Sequence, residues 1–322
     1  MTYEIFITDG CNRNCDFCYV NHTGYVENDE NISKFISAVK DEHGGNDRYE
    51  VNIFGGEPLM NFPAVKRVVD AFKSDGLCTM NLITNGDLMT DDMIDVLNHV
   101  NVGITTYDIL DGKAETLAEY RRKYNLLKNC RFRYTLTEMD IDQYYTLVDI
   151  YRSNGFKHKI CFSHDPNSWR NISTEVLNMK VTDIFRYELD RYLEHFSNST
   201  MKADDFLEPY IARFIQHLFM PDMPMSICVD GSKKTFYRGR FVGRCIRLQG
   251  HTQNKTVKAC DTCEYARCCT KGCFAEITDD VNPKLCTLEK ARFNAVKTFL
   301  MSNPTKLDKI LQYYYNKAFT IV

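Results

Sequence analysis

The first half of the chain alternates between two kinds of pattern, and this alternation most restricts the folds open to it. Six short runs rich in β-branched and aromatic residues lie at residues 4–8, 49–54, 79–84, 101–107, 132–137 and 157–163. Between them are longer stretches with apolar residues at helical spacing, such as PAVKRVVDAFKSD and IDQYYTLVDIYRS. Successive β–α units predict a parallel sheet with crossover helices, either an open doubly wound sheet or a barrel. In a barrel, the loops that carry chemistry follow the carboxyl ends of the strands.

Composition narrows the class of protein. With 322 residues, 44% of them hydrophobic, the chain can bury one large domain and a smaller one. A net charge of −3 gives no electrostatic reason to expect nucleic acid or an anionic membrane as a partner. No apolar run approaches the length of a membrane span, and the N-terminus lacks the basic and apolar regions of a secretory signal. We therefore expect a cytoplasmic protein.

The chain contains fourteen cysteines. Without an export signal, so many thiols indicate metal ligation in a reducing compartment rather than a disulfide framework. Cys78, Cys130 and Cys161 stand alone in apolar or strand-like contexts, and we predict that these three are small buried residues. Most of the others are clustered, which that interpretation does not explain.

Three clustered cysteines, Cys11, Cys15 and Cys18, follow the first β-rich run at the spacing C-x3-C-x2-C. A loop of this kind can surround one iron–sulfur cube, but it offers three of the four sulfurs that a [4Fe–4S] cluster normally takes from protein. One iron would stay open to an outside ligand. The open corner indicates catalysis rather than structural support.

The next three β-rich runs also end in small or polar residues. GGEP at 55–58 follows the second run, Thr84-Asn85-Gly86 ends the third, and the fourth contains Thr105 and Thr106. Each motif by itself is most simply an ordinary turn or cap. Their shared position at successive strand ends favours a ligand site, where glycines admit a close backbone approach and Glu57 could pair with an ammonium group.

Taken in this order, the motifs C-x3-C-x-aromatic-C, GGEP and TNG resemble the radical S-adenosylmethionine (SAM) superfamily. The resemblance implies a partial (β/α)6 TIM-like barrel and one [4Fe–4S] cluster whose open iron is chelated by the methionine part of SAM. It implies that the aromatic residue packs on the adenine, that the GGE backbone and carboxylate bind the methionine ammonium, and that polar residues of the third and fourth strands contact the sugar and carboxylate. The cofactor-binding residues implied in this way are Phe17, Gly55, Gly56, Glu57, Asn85 and Thr105.

The fourth strand departs from the pattern of many relatives. This chain reads Ile-Thr-Thr-Tyr-Asp where they have a Ser-Leu-Asp-Gly-like run. The resemblance also offers Arg121 or Arg122 as the counterpart of a SAM-contacting arginine, and the spacing does not choose between them.

A second group of cysteines lies within residues 228–286, where long apolar periods are few. Such a segment cannot bury a conventional core and is expected to be held together by metal. A zinc ribbon is one alternative, although the C-x2-C-x5-C-x3-C spacing is asymmetric for paired zinc knuckles. The pattern resembles the SPASM extension of radical SAM enzymes, which binds two auxiliary [4Fe–4S] clusters. The resemblance implies Cys260, Cys263, Cys269 and Cys286 as ligands of the distal cluster, and Cys228, Cys245 and Cys273 as ligands of the inner one.

Two alternatives stay open in this segment. Many relatives have an eighth cysteine shortly before the first, where this chain reads FMPDMPMSI. The inner cluster then has an open iron, or takes Asp222 or another non-cysteine ligand. Cys268 adjoins Cys269 and gives a different ligand register; Cys269 is favoured because it restores the family spacing.

The predicted organisation has four parts. Residues 1–165 form the radical SAM partial barrel, 166–225 a helical bridge, 226–290 the SPASM auxiliary-cluster domain, and 291–322 a helical tail. The stretch at about 174–220 is expected to be helical throughout.

The resemblance also implies a function. We predict a SAM-dependent peptide maturase that generates a 5′-deoxyadenosyl radical and crosslinks a cysteine-bearing precursor peptide, with a thioether favoured and a carbon–carbon bond as the other outcome. Its cofactors would be SAM and three [4Fe–4S] clusters, one radical SAM cluster and two auxiliary clusters. Its expected partners are the peptide or protein substrate and an electron donor such as flavodoxin or ferredoxin. Because the chain starts at strand one, the substrate is expected to be recognised either by a separate leader-binding protein or by the barrel itself.

Three other functions remain as alternatives. A sulfatase-maturase-like enzyme that generates formylglycine needs a carboxylate base near the inner cluster, for which Asp222 and Asp230 are the candidates. A SPASM-type dehydrogenase would act on a small molecule. A non-catalytic iron–sulfur electron carrier belongs to a different class, but it needs neither GGEP nor a loop with three ligands.

Overall fold

The structure is a computed structural model. It describes residues 1–43, 47–163, 165–197, 207, 210, 211, 214, 233–242, 260, 262–265, 282–305, 308 and 310. The chain divides into two compact units. The first consists of Met1–Leu136, Gln143–Asp165 and Gly231–His251, and the second of Thr137–Asp142, Pro166–Asp230 and Thr252–Val322.

The first unit is built on one sheet of eight strands. The strands are β1 (Thr2–Phe6), β2 (Tyr49–Phe54), β3 (Cys78–Thr84), β4 (Asn101–Thr105), β5 (Cys130–Leu136), β6 (His158–Phe162), β7 (Lys233–Tyr237) and β8 (Arg240–Phe241). Their order across the sheet is β6-β5-β4-β3-β2-β1-β7-β8, and all neighbours are parallel except β7 and β8. Because consecutive strands stay neighbours from β1 to β6, the winding never reverses as it does in a doubly wound sheet. This order confirms the prediction of a partial barrel.

Five helices follow the strands of this unit: α1 (Asp29–Glu42), α2 (Phe62–Phe72), α3 (Ile94–Leu97), α4 (Ala114–Leu126) and α5 (Tyr144–Ser153). Helices α1, α2 and α5 each bury an apolar stripe, as α2 does with Val65, Val68 and Phe72. Along β5, Phe132 and Tyr134 are buried while the residues between them are not, so one face of the sheet is covered. Phe132 packs against rings of α4 and α5 there. We call the opposite face of the sheet the open face.

The first strand ends earlier than the sequence predicted. The predicted run was 4–8, whereas β1 ends at Phe6. Beyond it the chain keeps hydrogen bonds to the β2 side, where the Ile7 amide donates to Phe54 O at 2.9 Å. On its other side, Thr8 bridges to Val26 in antiparallel fashion and the Glu27 amide donates to Ile7 O at 2.9 Å. A hydrophobic pattern records that residues are extended, and it does not record which partner they pair with.

The hairpin β7–β8 extends the sheet beside β1, and the sequence did not indicate it. Its two-residue turn has positive φ at both Arg238 (51°) and Gly239 (73°), as a type I′ turn requires. The segment lies within residues 226–290, which the sequence predicted as a separate cysteine-rich domain. The structure assigns the hairpin to the barrel unit.

The second unit contains two long helices that pack together, α6 (Thr174–Ser197) and α7 (Pro283–Ser302). The predicted helix at about 174–220 is therefore observed as far as Ser197. In α7, Asn282 caps the first turn by accepting hydrogen bonds from the amides of Lys284 and Leu285. Across the part of the chain that is described, no helix is both long enough and apolar enough to span a membrane.

Candidate functional site

The three cysteines of the first motif lie on the loop that follows β1. All three are free thiols of intermediate exposure. The Cys18 amide donates to Cys15 O at 2.9 Å, and the Arg13 amide donates to Cys11 Sγ at 3.4 Å. Burial raises the pKa of each thiol, and neighbouring thiols in the group raise it further. Ligation would therefore have to displace protons from all three sulfurs.

This donor set fits a cubane better than a single metal ion. Within the described ranges, no three Cys, His, Asp or Glu side chains converge on one metal position. A cubane binds each thiolate through a different iron, so its sulfur ligands need not converge. Three free thiols on one loop satisfy that requirement and leave one iron without a protein ligand from this loop.

Gly55 and Gly56 join the turn after β2 to the cysteine loop. A Cβ atom on Gly55 would lie 2.6 Å from Thr8 O, and one on Gly56 would lie 2.7 Å from Asp9 O. The Gly56 and Glu57 amides donate to Thr8 O and Gly10 O, both at 2.8 Å. These glycines therefore allow two backbones to meet, and the contact fixes the start of the cysteine loop.

Glu57 is buried and holds the end of β3. Its Oε1 accepts hydrogen bonds from the Thr84 hydroxyl at 2.6 Å and the Leu59 amide at 3.0 Å, and its Oε2 accepts one from the Asn85 amide at 2.7 Å. Burial raises the pKa of the carboxyl, while these hydrogen bonds act in the opposite direction. The carboxylate is thus part of the frame that orients the two strand ends.

Asn85 connects β3 to the cysteine loop. Its Nδ2 donates to Asn12 Oδ1 at 2.8 Å and lies 3.9 Å from Cys11 Sγ. Asp87, two residues further on, accepts from Arg13 Nε at 2.6 Å and pairs with the same guanidinium through its other oxygen. The loop between Cys11 and Cys15 is thereby fixed by charged and amide groups.

Phe17 packs against an aromatic residue that follows β4. Its ring stacks on Tyr107, with centroids 5.7 Å apart and an interplanar angle of 20°. The Arg13 guanidinium also lies 4.8 Å from the Tyr107 centroid. A hydrogen bond with Tyr107 acts to lower the pKa of Cys15, although the larger effect of burial raises it. Tyr107, which the sequence analysis did not select, contacts every second residue of the cysteine loop from Arg13 to Phe17.

The two threonines at the end of β4 face opposite sides. Thr106 is buried, and its hydroxyl bonds to Tyr151 and to Arg133 O. Thr105 is half-buried on the open face, where the strand register pairs it with Arg133. Thr105 is thus the one of the two that remains a candidate for contact with a ligand.

Asp9 is the main residue that sequence reasoning missed. Its buried carboxylate accepts hydrogen bonds from the amides of Thr23 and Tyr25, the Thr23 hydroxyl at 2.6 Å and the Tyr237 hydroxyl at 2.8 Å. Arg238 of the hairpin lies 3.3 Å from the same oxygen. Burial raises the pKa of Asp9, but the hydrogen bonds outweigh it and the pKa lies below its usual value. In the sequence, the one indication of a role for Asp9 was its position directly before Gly10 and Cys11, at the start of the cysteine loop.

The remaining predicted residues fall into two groups. Arg121 bonds to Asn154 and Arg122 pairs with Glu119 and Asp91, so both are engaged away from the cysteine loop. Seven others lie outside the described residues: Asp222, Asp230, Cys228, Cys245, Cys268, Cys269 and Cys273. Of the three isolated cysteines, Cys130 is buried as predicted, whereas Cys78 and Cys161 are of intermediate exposure.

Three cysteines of the C-terminal motif are described, and all belong to the second unit. The Cys263 amide donates to Cys260 O at 3.2 Å, and Cys286 lies in the first turns of α7. Burial raises the pKa of Cys286, Lys290 lowers it, and Cys263 and Cys260 raise it. The three thiols are therefore within electrostatic reach of one another.

Comparison with known proteins identifies the barrel. The family model of the radical SAM superfamily matches residues 5–164. The chain is 22% identical over 219 residues to the radical SAM cyclopropyl synthase TigE of Paramaledivibacter caminithermalis, which covers 58% of this chain and 46% of that protein. It is 31% identical over 115 residues to the GTP 3′,8-cyclase of Rhodopirellula baltica, covering 33% of this chain and 31% of that protein. The matches span about half or less of these relatives.

Two solved structures share the fold over more of the chain. The structure of anSMEcpe with bound AdoMet and Cp18Cys peptide has a TM-score of 0.65 at 16% identity, and covers 98% of this chain and 99% of that one. Streptococcus suis SuiB bound to precursor peptide SuiA has a TM-score of 0.60 at 16% identity, and covers 88% and 74% respectively.

Proposed function

Residues 5–164 belong to the radical SAM superfamily, and on that premise we propose that this protein is a peptide maturase. The proposed reaction removes two hydrogens from a precursor peptide and joins a cysteine sulfur to a carbon as a thioether, with a carbon–carbon crosslink as the other product. The observation that carries the proposal is the cysteine loop, fixed against the Gly55–Glu57 turn with three free thiols and no fourth.

The residues of this chain have separate tasks in such a reaction. Cys11, Cys15 and Cys18 would hold the cluster, and the amides and carboxylate at Glu57 keep the adjoining turn in place. When bound, the cluster and SAM supply a 5′-deoxyadenosyl radical that takes a hydrogen atom from the substrate. The protein fixes the target C–H bond near that radical and excludes water from it.

Peptide substrates are supported by the similar proteins. SuiB was solved with its precursor peptide and anSMEcpe with a peptide, and both share the fold of this chain. A formylglycine-forming reaction remains the runner-up, because its candidate bases Asp222 and Asp230 lie outside the described residues.

The auxiliary clusters are a separate part of the proposal. They would accept the second electron, or an open inner cluster would bind a substrate thiolate. Cys260, Cys263 and Cys286 support a distal cluster because the thiols of Cys260 and Cys263 both act to raise the pKa of Cys286. Together with the radical SAM cluster, two auxiliary cubanes correspond to about twelve irons per chain.

The decisive experiment is anaerobic reconstitution followed by turnover with dithionite and SAM. We expect 5′-deoxyadenosine and methionine from the wild type, and neither from a Cys15→Ala variant. With a co-expressed candidate peptide, mass spectrometry should show the loss of two hydrogens. Absence of 5′-deoxyadenosine from a fully reconstituted wild type would contradict the enzymatic function.

A further inference from the structure

The open face of the sheet carries two rows of polar side chains that differ in one respect. In the first row, Asn81 Nδ2 donates to Asn52 Oδ1 at 2.8 Å, and Asn101 Nδ2 donates to Asn81 Oδ1 at 3.0 Å. Each amide there has a partner on the next strand. The second row starts at Thr105, the last residue of β4, and the register aligns Thr105 with Arg133 and Arg133 with Lys159.

The second row places two cations directly opposite each other. Arg133 and Lys159 lie on neighbouring parallel strands, and both are half-buried. Neither the guanidinium nor the ammonium has a hydrogen-bond or ion-pair partner in the described part of the chain. Like charges opposed across two strands destabilise a sheet, and partial burial removes some of the water that would screen them. The folded protein alone therefore gives no reason for this pair.

Space for the arginine is provided by Gly103. A Cβ at Gly103 would lie 2.8 Å from Arg133 Cδ and 2.8 Å from Ile83 Cδ1. The Arg133 side chain thus lies across β4 on the open face, over a position where any other residue would displace it. A glycine in a central strand weakens that strand because it has no side chain to pack. At position 103 the glycine is required because the Arg133 side chain lies over it.

The row lies beside the cysteine loop at its Thr105 end, whereas Arg133 and Lys159 lie away from the turn that follows β2. Thr105 is two residues before Tyr107, whose ring contacts Arg13 and Phe17. Along the sheet, however, β5 is three strand spacings from β2, or about 14 Å. A carboxylate bound at Arg133 and Lys159 would therefore lie one to two strand spacings from Thr105 and apart from the iron that the resemblance assigns to the SAM carboxylate.

We propose that Arg133 and Lys159 form a subsite that binds the carboxylate of an acidic residue in the substrate peptide. This proposal rests on the proposed function, since it assigns part of that substrate's chemistry. A carboxylate between the two cations would replace their repulsion with two charge-assisted hydrogen bonds. Thr105 adds a hydroxyl at the same level of the sheet.

The test uses the reconstituted full-length protein and two fluorescent probe peptides, capped GGCEG and capped GGCQG, which differ only in one carboxylate. We expect the wild type to bind the glutamate probe about tenfold more tightly than the glutamine probe at low salt. The preference should fall in Arg133→Gln and in Lys159→Gln, and disappear in the double variant. Lys128→Gln is the matched control, because it removes one exposed positive charge elsewhere and should keep the preference.

Two further measurements separate the possible outcomes. Equal binding of both probes by the wild type, or no measurable binding of either, would overturn the subsite. If SAM affinity falls about tenfold in Arg133→Gln while the probe preference stays, the anion is the SAM carboxylate and the proposal is wrong. If the wild type forms no 5′-deoxyadenosine yet keeps the preference, the subsite stands and the proposed function fails.

Discussion

At the scale of single residues, two buried carboxylates organise the candidate site. Glu57 lies on the turn after β2 and holds β3. Asp9 lies on the cysteine loop and holds both the return arm of that loop (residues 23–27) and the β7–β8 hairpin. Each accepts several hydrogen bonds, which is how an ionised carboxyl is accommodated away from water. Replacing either carboxylate with the corresponding amide introduces an NH2 group, itself a hydrogen-bond donor, where backbone amides already donate.

Glu57→Gln is expected to lower the free energy of unfolding by about 2–3 kcal/mol. The amide nitrogen would face a backbone donor, either the Asn85 amide at the Oε2 position or the Leu59 amide at the Oε1 position, so at least one buried hydrogen bond is lost. Urea unfolding at neutral pH measures the change. Glu50→Gln is the matched control, because Glu50 lies on β2, the strand that precedes Glu57, and is exposed; equal effects of the two variants would refute the role assigned to Glu57.

Asp9→Asn is expected to cost about 2 kcal/mol and to weaken retention of iron. The substitution removes the acceptor for the Tyr237 hydroxyl or for the Thr23 amide, and with it the connection between the hairpin and the cysteine loop. Unfolding and the rate of iron release after reconstitution are the two measurements. The exposed Asp41→Asn serves as a control; iron release as slow as in the wild type would show that Asp9 does not support the loop.

At the scale of elements, the position of the cysteine loop depends on close contacts between loops more than on the regular strands. The Gly55–Glu57 turn meets the first residues of the cysteine loop by backbone hydrogen bonds. The tip of the β7–β8 hairpin meets the return arm, where the Gly239 amide donates to Glu27 Oε1 and Arg238 lies over Tyr25. Both contacts depend on glycines, one for proximity and the other for backbone conformation.

Gly56→Ala should release the cysteine loop from the turn after β2. The new methyl group would collide with Gly10 O and lie 2.7 Å from Asp9 O, so the two backbones must separate. We expect a stability loss of about 1–3 kcal/mol and reduced iron binding at the first cluster. Gly76→Ala is the control, since a Cβ there meets nothing within 4 Å; equal iron content in the two variants would contradict the predicted coupling.

Gly239→Ala and Gly155→Ala form a second matched pair. Both glycines have positive φ, 73° and 68°, so an alanine pays the same backbone cost of about 1 kcal/mol at each. A Cβ at Gly239 would also lie 2.7 Å from Asn31 Oδ1, whereas one at Gly155 meets nothing within 4 Å. Chemical denaturation should therefore show a larger loss for Gly239→Ala. Identical losses of stability in the two variants would mean that Asn31 and the hairpin tip accommodate the new methyl group at no cost.

At the scale of the whole molecule, the cysteine loop belongs to the first unit, and the three described C-terminal cysteines, Cys260, Cys263 and Cys286, belong to the second. We expect these two sets to bind iron independently. Cys15→Ser is expected to remove about four irons from a total of about twelve, and Cys286→Ser to remove a different set of about four. Iron analysis and electron paramagnetic resonance of each variant measure this. A wild-type total near four would eliminate the auxiliary clusters while leaving the first cluster intact.

The parallel sheet and the strand-end position of the cysteine loop could be predicted from the β–α pattern, whereas the sequential strand order followed only from the family resemblance, which implied a barrel. β-rich runs that alternate with amphipathic stretches leave few other topologies, and parallel strands bring their following loops to one edge. The functional motifs were readable because the spacing C-x3-C-x2-C and the glycine pair are local patterns.

Partners distant in sequence were decided only by the tertiary structure. Nothing local to Asp9 indicates Tyr237 and Arg238, which are more than two hundred positions away. The sequence around Gly103 does not indicate that this glycine leaves space for the Arg133 side chain, or that Arg133 lies opposite Lys159. Local spacing determines which residues share a loop or a face, because that depends only on backbone geometry. Which charges and hydrogen-bonding groups meet depends on strand register and loop packing, and these exist only in the folded chain.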